Sequence, residues 1–249
     1  MDKYYCTIVV ICNKEKVLKE YTENLNTQKN VIFQLIVIDN TDNQYQGARM
    51  AFNSFLAQIE YEIVIFSHPD IRFRSDYALA NILRETAKID DYGVVGIAGC
   101  TSGQIWKILT NIVHGDKKVE AGEGILDITE VQTVDECFFI MKKDMIQKIK
   151  FKNKDGWHLY AVEQSLQMKR DGKKNYVIPA DVWHLSDGRS LDPSYMKGLE
   201  EIIREYKIET EYINTTVKQW KTKGFVAYLY RKYYYIKQVI KKQIYKQRQ

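Results

Sequence analysis

Four short runs of apolar residues punctuate the first hundred positions: Tyr5 to Cys12, Phe33 to Asp39, Glu62 to Phe66 and Gly93 to Gly99. Their hydrophobicity is continuous rather than alternating, as in strands covered on both faces. Between them, apolar positions recur every three or four residues. Val17, Leu18, Tyr21 and Leu25 form one such set, Ala48, Ala51, Phe55 and Ile59 a second, and Leu79, Ile82, Leu83 and Thr86 a third. Each set falls on one face of a helix. Strand and helix in alternation predict right-handed crossovers and a largely parallel sheet. After Gly99 the pattern loosens through a glycine-dotted region, Gly103 to Gly124, read as loops over a site. A second block follows, with a long strand over Glu130 to Lys143 and a helix over Leu159 to Arg170 closed by Gly172. A strand over Asn175 to Ile178 then leads to Asp181-Val182-Trp183-His184. No repeat or low-complexity linker divides the chain.

With 249 residues, 45% of them hydrophobic and only three prolines, the chain can bury one core and a small appendage. The longest stretch without Asp, Glu, Lys or Arg, Tyr92 to Trp106, is too short and too polar to span a bilayer. Met1-Asp2-Lys3-Tyr4-Tyr5 lacks the segments of a signal peptide, so a cytoplasmic protein is expected. Cys6, Cys12, Cys100 and Cys137 show no C-x-x-C pairing, and at least three sit in apolar runs; buried free thiols, with no disulfide and no zinc site, are expected. The net charge of +5 conceals a division: from Tyr212 to Gln249 there are ten Lys or Arg residues and no Asp or Glu. The other 211 residues therefore carry −5, the difference between +5 and +10. A mildly acidic body with a basic tail suggests a tail that touches an anionic surface.

Candidate chemistry gathers at strand ends. The run Glu62 to Phe66 closes on Ser67-His68-Pro69-Asp70, and in open parallel sheets ligands bind beyond the carboxyl ends of strands. A His-x-Asp there suits a metal ion or phosphate, although two polar residues ending a strand are also ordinary loop residues. Cys12-Asn13-Lys14 and Asp39-Asn40 end the first two strands in the same way.

The order of these features resembles the GT-A fold of family 2 glycosyltransferases, particularly the glycosyltransferase-like branch with His-x-Asp in place of Asp-x-Asp. The resemblance covers roughly Tyr5 to Asp192 and rests on five features. These are Thr7-Ile8-Val9-Val10; Ile36-Val37-Ile38-Asp39-Asn40; Asn53 ahead of Ile65-Phe66-Ser67-His68-Pro69-Asp70; Val94-Val95-Gly96-Ile97-Ala98-Gly99 followed by Trp106; and Trp157-His158-Leu159-Tyr160 leading to Trp183-His184-Leu185-Ser186-Asp187-Gly188. It implies an α/β, Rossmann-like three-layer sandwich with a mostly parallel central sheet. It further implies a bacterial-type, inverting transferase that moves a sugar from a nucleotide diphosphate donor, usually a UDP-sugar, to a glycan or lipid-linked acceptor for a surface polysaccharide.

Carried residue by residue, the resemblance lays the donor across the first three strand ends. Cys12 and Asn13 would line the base, Lys14 would reach a phosphate, and Asp39, with Asn40, would meet the base or ribose. The bland alternatives are a solvated helix start for Lys14 and a turn-capping carboxylate for Asp39. Asp70 is the expected ligand of Mn²⁺ or Mg²⁺, with His68 as a donor contact and His184 completing the metal or phosphate site; an imidazole tilts the choice toward Mn²⁺. His184 is otherwise a packed core residue. Relatives tend to place an Asp directly after the Tyr corresponding to Tyr160 and a second acid two residues later. Here the sequence is Tyr160-Ala161-Val162-Glu163. Inversion needs a general base, and alanine cannot serve. Glu163 is the nearest carboxylate, with Asp155, His158 and Asp135 as substitutes. Asp135-Glu136 lies on the expected acceptor side, where either acid would contact a sugar hydroxyl or simply be solvated. His114 reads as an ordinary loop histidine.

The division at Tyr212 gives a catalytic domain over 1–211 and a basic aromatic helical tail over 212–249. Phe225, Leu229, Tyr233, Ile236, Ile240 and Ile244 fall within about 100° of one another on a helical wheel, and Arg231, Lys232, Lys237, Lys241, Lys242 and Lys246 lie outside that arc. Seven tyrosines run from Tyr212 to Tyr245. This is the composition of a helix lying in a headgroup layer, and an anionic membrane surface at the inner face of the plasma membrane is the expected partner. The alternative is packing on the body or in a homodimer; nucleic acid is not expected. Two other readings stand beside the transferase: a GT-A module that binds nucleotide-sugars without turnover, and a sugar nucleotidyltransferase. The second would need a glycine-rich phosphate loop where Asn13-Lys14-Glu15-Lys16 stands.

Overall fold

A computed structural model describes residues 3–186 and 193–246, with side chains through 243. Asp187 and Gly188 of the last motif, and the side chains of Ile244, Tyr245 and Lys246, lie outside that description. The first half alternates as its periodicity predicts: β1 (Tyr4–Cys12), α1 (Glu15–Asn26), β2 (Val31–Asp39), α2 (Ala48–Phe55), β3 (Ile63–Ser67), β4 (Ile71–Phe73) and α3 (Ala78–Thr86). Next come β5 (Val95–Gly96), β6 (Ala98–Cys100), β7 (Ile108–Thr110), β8 (Val113–His114), β9 (Val119–Glu120), β10 (Thr129–Val131), β11 (Thr133–Val134) and β12 (Phe138–Lys142). The chain continues as α4 (Lys143–Lys148), α5 (Tyr160–Arg170), β13 (Asn175–Val177), β14 (Val182–His184), α6 (Pro193–Tyr206), β15 (Tyr212–Asn214), β16 (Gln219–Lys221) and α7 (Phe225–Lys246).

The central sheet runs β10-β13-β5-β12-β3-β1-β2. β1 pairs parallel with β2 and β3, and β13 pairs parallel with β5. β12 enters antiparallel between β3 and β5, and β10 is antiparallel to β13, so the sheet is mixed. Continuous apolarity reports burial on both faces and not strand direction, and β12 is buried from Phe138 to Met141 like its parallel neighbours. Helices cover both faces. Ala48, Ala51 and Phe52 of α2 pack with Val9, Ile38, Phe66 and Phe139 on one side, and Tyr21, Leu25, Leu79, Ile82 and Leu83 of α1 and α3 pack with Ile8, Ile65 and Ile140 on the other.

Two expected strands are broken. The run Gly93 to Gly99 splits at Ile97, and Glu130 to Lys143 splits at Gln132 and again at Asp135-Glu136. In both places the chain leaves the central sheet for a small sheet of order β11-β6-β7. The second break is closed by the Cys137 N–H donating to Asp135 Oδ1 at 2.9 Å, a side-chain turn that competes with the ladder. The glycine-dotted region read as loops contains β7, β8 and β9. All four cysteines are free and buried.

Gly47 bridges to Gly156, and a Cβ on Gly47 would stand 2.5 Å from the Gly156 nitrogen. Only glycine permits that approach, which sets the start of α2 against the loop feeding α5. Asn53 secures the same contact through Nδ2, 2.7 Å from the Phe151 carbonyl.

The tail expected from Tyr212 begins as the β15–β16 hairpin and turns helical at Phe225. The hairpin is bonded to the body: Gln132 Nε2 donates to the Tyr212 carbonyl at 2.7 Å, Asn214 Nδ2 to the Thr101 carbonyl at 2.7 Å, and Trp106 Nε1 to the Thr215 carbonyl at 3.0 Å. Helix α7 docks through the side that carries Arg231, Tyr234, Tyr235 and Gln238, the two tyrosines packing on the cluster of α5 and α6. Arg231 is buried, with Nε 2.8 Å from Glu200 Oε1 of α6, and Gln238 is buried one face-repeat further on. Phe225, Leu229, Tyr233, Ile236 and Ile240 face outward, 49% to 73% exposed. No helix of the described residues is long and apolar enough to cross a membrane.

Candidate active site at the strand ends

Strands β3, β1 and β2 finish side by side, with Ser67 beside Val10 and Cys12 beside Asp39. Beyond them the backbone folds over: the Asn40 N–H donates to the Cys12 carbonyl at 2.7 Å, and Asn40 Oδ1 accepts from the Tyr45 N–H at 2.8 Å. Cys12 and Asn40 are buried, whereas Asn13, Lys14 and Asp39 are exposed. Asp39 Oδ1 accepts from the Thr41 N–H at 2.9 Å and the Thr41 hydroxyl at 2.8 Å, and those bonds hold its carboxyl below the usual range. The turn-capping role is therefore occupied, by one of the two oxygens.

His68, Pro69 and Asp70 connect β3 to β4. Strand β14 pairs antiparallel with β4, His184 opposite Ile71, and the Leu185 N–H donates to the Asp70 carbonyl at 2.9 Å. That register carries His184 across 114 positions of sequence to the carboxylate. His184 Nε2 lies 3.3 Å from Asp70 Oδ1, and His68 Nδ1 lies 3.9 Å from the same oxygen. One ligand atom from each of the three residues falls within 4.8 Å of the others.

His184 Nε2 and Asp70 Oδ1, though within ion-pair distance of each other, are both buried without a hydrogen-bond partner. Orphaned buried polar atoms are costly. A carboxylate oxygen and two imidazoles converging on one point are the donor set of a divalent cation, so the residues present fit such an ion. Burial raises the Asp70 pKa, but the close approach of His184 and the charges of His184 and His68 outweigh it and bring the carboxyl below its ordinary value. Burial lowers the pKa of His184, yet the Asp70 carboxylate raises it on balance. His68 is lowered by burial, against the pull of Asp70.

Tyr160 fixes the His68 ring. Its hydroxyl lies 2.8 Å from His68 Nε2 and 3.3 Å from the Glu136 carbonyl oxygen, which can only accept. The hydroxyl therefore donates to Glu136 and accepts from Nε2–H, leaving the Nδ1 lone pair toward Asp70. Leu159, immediately before Tyr160, holds φ at 64°, a left-handed value unusual for leucine. This one-residue strain starts α5 with Tyr160 buried against the cluster. His114, read from sequence as a loop residue, lies on β8 in register with His184, with ring centroids 5.4 Å apart. Burial and the neighbouring His184 lower its pKa.

The base candidates are placed differently from one another. Glu163 is 1% exposed, with Oε2 2.7 Å from Arg49 Nε and Oε1 2.7 Å from Lys154 Nζ. Both of its oxygens are committed to cations. Asp135 accepts from the Cys137 N–H and from the Thr216 hydroxyl at the hairpin turn. Burial raises its pKa, but those donors hold it below the ordinary value. The His158 ring packs against Tyr195 with centroids 6.0 Å apart, and its carbonyl accepts from Arg49 at 3.2 Å. Asp155 is exposed. Glu136, named only as an acceptor contact, is where the electrostatics are least usual: burial, then the Asp135 charge, push its carboxyl up to about 8.

The sequence profile of the glycosyltransferase-like family matches residues 6–206. Among solved structures, the chain is similar to mannosyltransferase PcManGT from Pyrobaculum calidifontis in complex with GDP-Man and Mn²⁺, with TM-score 0.55, 11% identity, and 84% of this chain and 65% of that chain covered. It is also similar to S. aureus TarS 1–349 in complex with UDP-GlcNAc, with TM-score 0.50, 16% identity, and 84% of this chain and 67% of that chain covered. The chain thus spans 65% of the length of PcManGT. At these identities the likeness speaks for the fold. No curated protein sequence matches the chain. With the GT-A-like α/β sandwich, the His68–Asp70–His184 cluster beyond its strand ends and a profile match over most of its length, the chain belongs to the glycosyltransferase-like family.

Proposed function

We propose that the protein is a metal-dependent glycosyltransferase that moves a sugar from a nucleoside diphosphate donor to a glycan or lipid-linked acceptor with inversion at the anomeric carbon. The observation that carries this reading is the pair of buried, unpartnered ligand atoms, Asp70 Oδ1 and His184 Nε2, beside His68 at the ends of the parallel strands. Asp70, His184 and His68 would hold Mn²⁺ or Mg²⁺, which when bound offsets the charge of the departing diphosphate. Cys12, Asn13, Lys14, Asp39 and Asn40 line the neighbouring strand ends and would hold the nucleoside, with Lys14 in reach of a phosphate. Tyr160 keeps the His68 ring oriented by its hydrogen bond. The GDP-Man and Mn²⁺ of PcManGT and the UDP-GlcNAc of TarS belong to those proteins; they support a nucleotide-sugar as the class to test. Calorimetric titration of UDP and GDP, with Mn²⁺ and with excess chelator, tests the reading: metal-dependent binding is expected, and no binding of either nucleotide contradicts it.

The same reading includes a bacterial surface polysaccharide as the product and residence at the inner face of the plasma membrane through α7. Its support is the outward apolar arc of Phe225, Leu229, Tyr233, Ile236 and Ile240, with exposed Lys232 and Lys237 on its two sides and the docked face opposite. A helix that packs through Arg231 and Gln238 leaves that arc for the headgroup layer. Cosedimentation with phosphatidylglycerol vesicles tests it; a protein that stays in the supernatant, or dimerises through the arc, contradicts membrane residence.

A further inference from the structure

On the glycosyltransfer reading above, the acceptor hydroxyl must lose a proton as it attacks the anomeric carbon. Six carboxylates stand near α5 and the strand ends: Asp39 caps its own turn, Asp155 is exposed, and three more serve the histidine cluster, an ion pair and a turn. Asp70 faces two imidazoles, Glu163 is held between Arg49 and Lys154, and Asp135 accepts from Cys137 and Thr216. Ala161 has no proton-accepting side-chain atom. Glu136 remains. Its Oε1 is buried with no hydrogen-bond partner. Its carbonyl is one hydroxyl away from His68, since the Tyr160 hydroxyl spans the two at 3.3 Å and 2.8 Å. It lies two residues before β12, in a turn tied to His68, whose N–H donates to the Cys137 carbonyl at 2.8 Å.

We propose that Glu136, whose carboxylate lies by the start of α5, is the general base of the transfer that takes the acceptor proton. In the step, the acceptor O–H gives its proton to the Glu136 carboxylate while the oxygen's lone pair forms the new bond to the anomeric carbon. The bond from that carbon to the diphosphate oxygen breaks, and its electron pair leaves with the nucleoside diphosphate. The protonated Glu136 returns its proton to water when product departs. Its surroundings suit it to this work. Asp135 and Cys137 on its own segment and the Tyr160 and Tyr195 hydroxyls of α5 and α6 raise its pKa or have theirs raised by it, while Arg49 of α2 and the N–H groups of Leu159 and Tyr160 favour its charged form. The balance, set first by burial, lies at about 8, close to the operating pH at which a base combines availability with proton affinity. Asp135, held low, is a weaker acceptor of protons.

The test measures nucleoside diphosphate release from a panel of UDP- and GDP-sugars with Mn²⁺, alongside UDP affinity, for wild type, Glu136→Gln, Glu136→Asp and Glu136→Ala. Glu136→Gln should lose turnover roughly 100-fold or more while UDP affinity stays within about threefold. Wild-type turnover should rise with pH toward 8, the glutamine variant should show no such limb, and formate should restore part of the turnover of Glu136→Ala, which a purely structural role does not predict. Glu136→Asp keeps a carboxylate and retains intermediate activity, which guards against misfolding of the others. Turnover of Glu136→Gln within threefold of wild type overturns the assignment. So does ¹³C-carboxyl NMR of the UDP–Mn²⁺ complex in which Glu136 titrates at an ordinary glutamate pKa, a readout that needs no turnover. Failure of wild type to bind UDP or GDP overturns the glycosyltransfer reading itself, and the base with it, and is distinguishable because it appears before any variant is made.

Discussion

Two buried acidic regions flank helix α5, and their charges are treated in opposite ways. On one flank Glu163 is closed between Arg49 and Lys154, and Lys154 reaches on toward Glu205 of α6, 3.7 Å away. On the other, Asp70 Oδ1, His184 Nε2 and Glu136 Oε1 are buried without hydrogen-bond partners. A buried ion of known partner holds elements together and has little left to offer a ligand. A buried group without one costs stability, and a bound ion or substrate is what relieves it. Sequence proximity alone favoured Glu163 as the base, because it is the acid nearest Ala161; the structure engages it with α2 and the loop ahead of α5, and leaves Glu136 Oε1 without a hydrogen-bond partner.

Replacing Glu163 with alanine is the strongest way to sharpen this contrast. It leaves Arg49, itself buried, without its anion, and a broken buried pair costs about 3–5 kcal/mol. A drop in thermal midpoint on the order of 10 °C is expected, with metal-dependent UDP affinity retained in the folded fraction at low temperature. Asp70→Ala should split the two readouts the other way: it removes a carboxylate whose charged form His184 and His68 favour, so a small drop in melting temperature is expected, while metal-dependent nucleotide binding falls roughly 100-fold, about 2.7 kcal/mol, by calorimetry.

Glu136 gives a smaller effect whose sign depends on pH. Its folded pKa of about 8 lies above the model-peptide value of 4.5, so between those limits the folded state binds more protons than the unfolded one. Stability from this group is full below pH 4.5 and is lost as pH rises toward 8. Glu136→Gln should therefore be stabilised relative to wild type by on the order of 1–3 kcal/mol at pH 8, with little difference at pH 4.5, in urea melts at the two values. Equal differences at both would contradict the buried, unpaired carboxyl. The smallest expected effect belongs to α7: Lys237→Gln should weaken binding to anionic vesicles by about 1 kcal/mol, and raised salt should do the same to wild type.

Much of the frame is legible in the sequence for a plain reason. Strands β1, β2 and β3 and helices α1, α2 and α3 are local patterns, and each apolar run or face maps onto one element, save that Ile59 of the second set lies past the end of α2. His68 and Asp70 follow because the end of β3 can be read directly. What escapes is whatever long-range pairing decides. The direction of β12 leaves no trace in a run apolar on both faces. The breaks at Ile97 and Asp135 come from the chain changing sheets. His114 joins His184 only because β8 lies beside β14, and Arg49 meets Glu163 only because two glycines touch. The arc on α7 is legible, and the side that docks is not, because Arg231 and Gln238 look like solvated residues until Glu200 appears opposite.

The central claim is that the unsatisfied atoms at the strand ends await a cation and a nucleotide. Titrating UDP into the protein with Mn²⁺, then with excess chelator, and again with Asp70→Ala tests it most directly. The account predicts binding that requires the metal and is lost in the variant. Equal heats with and without metal, or equal binding by wild type and Asp70→Ala, would contradict it.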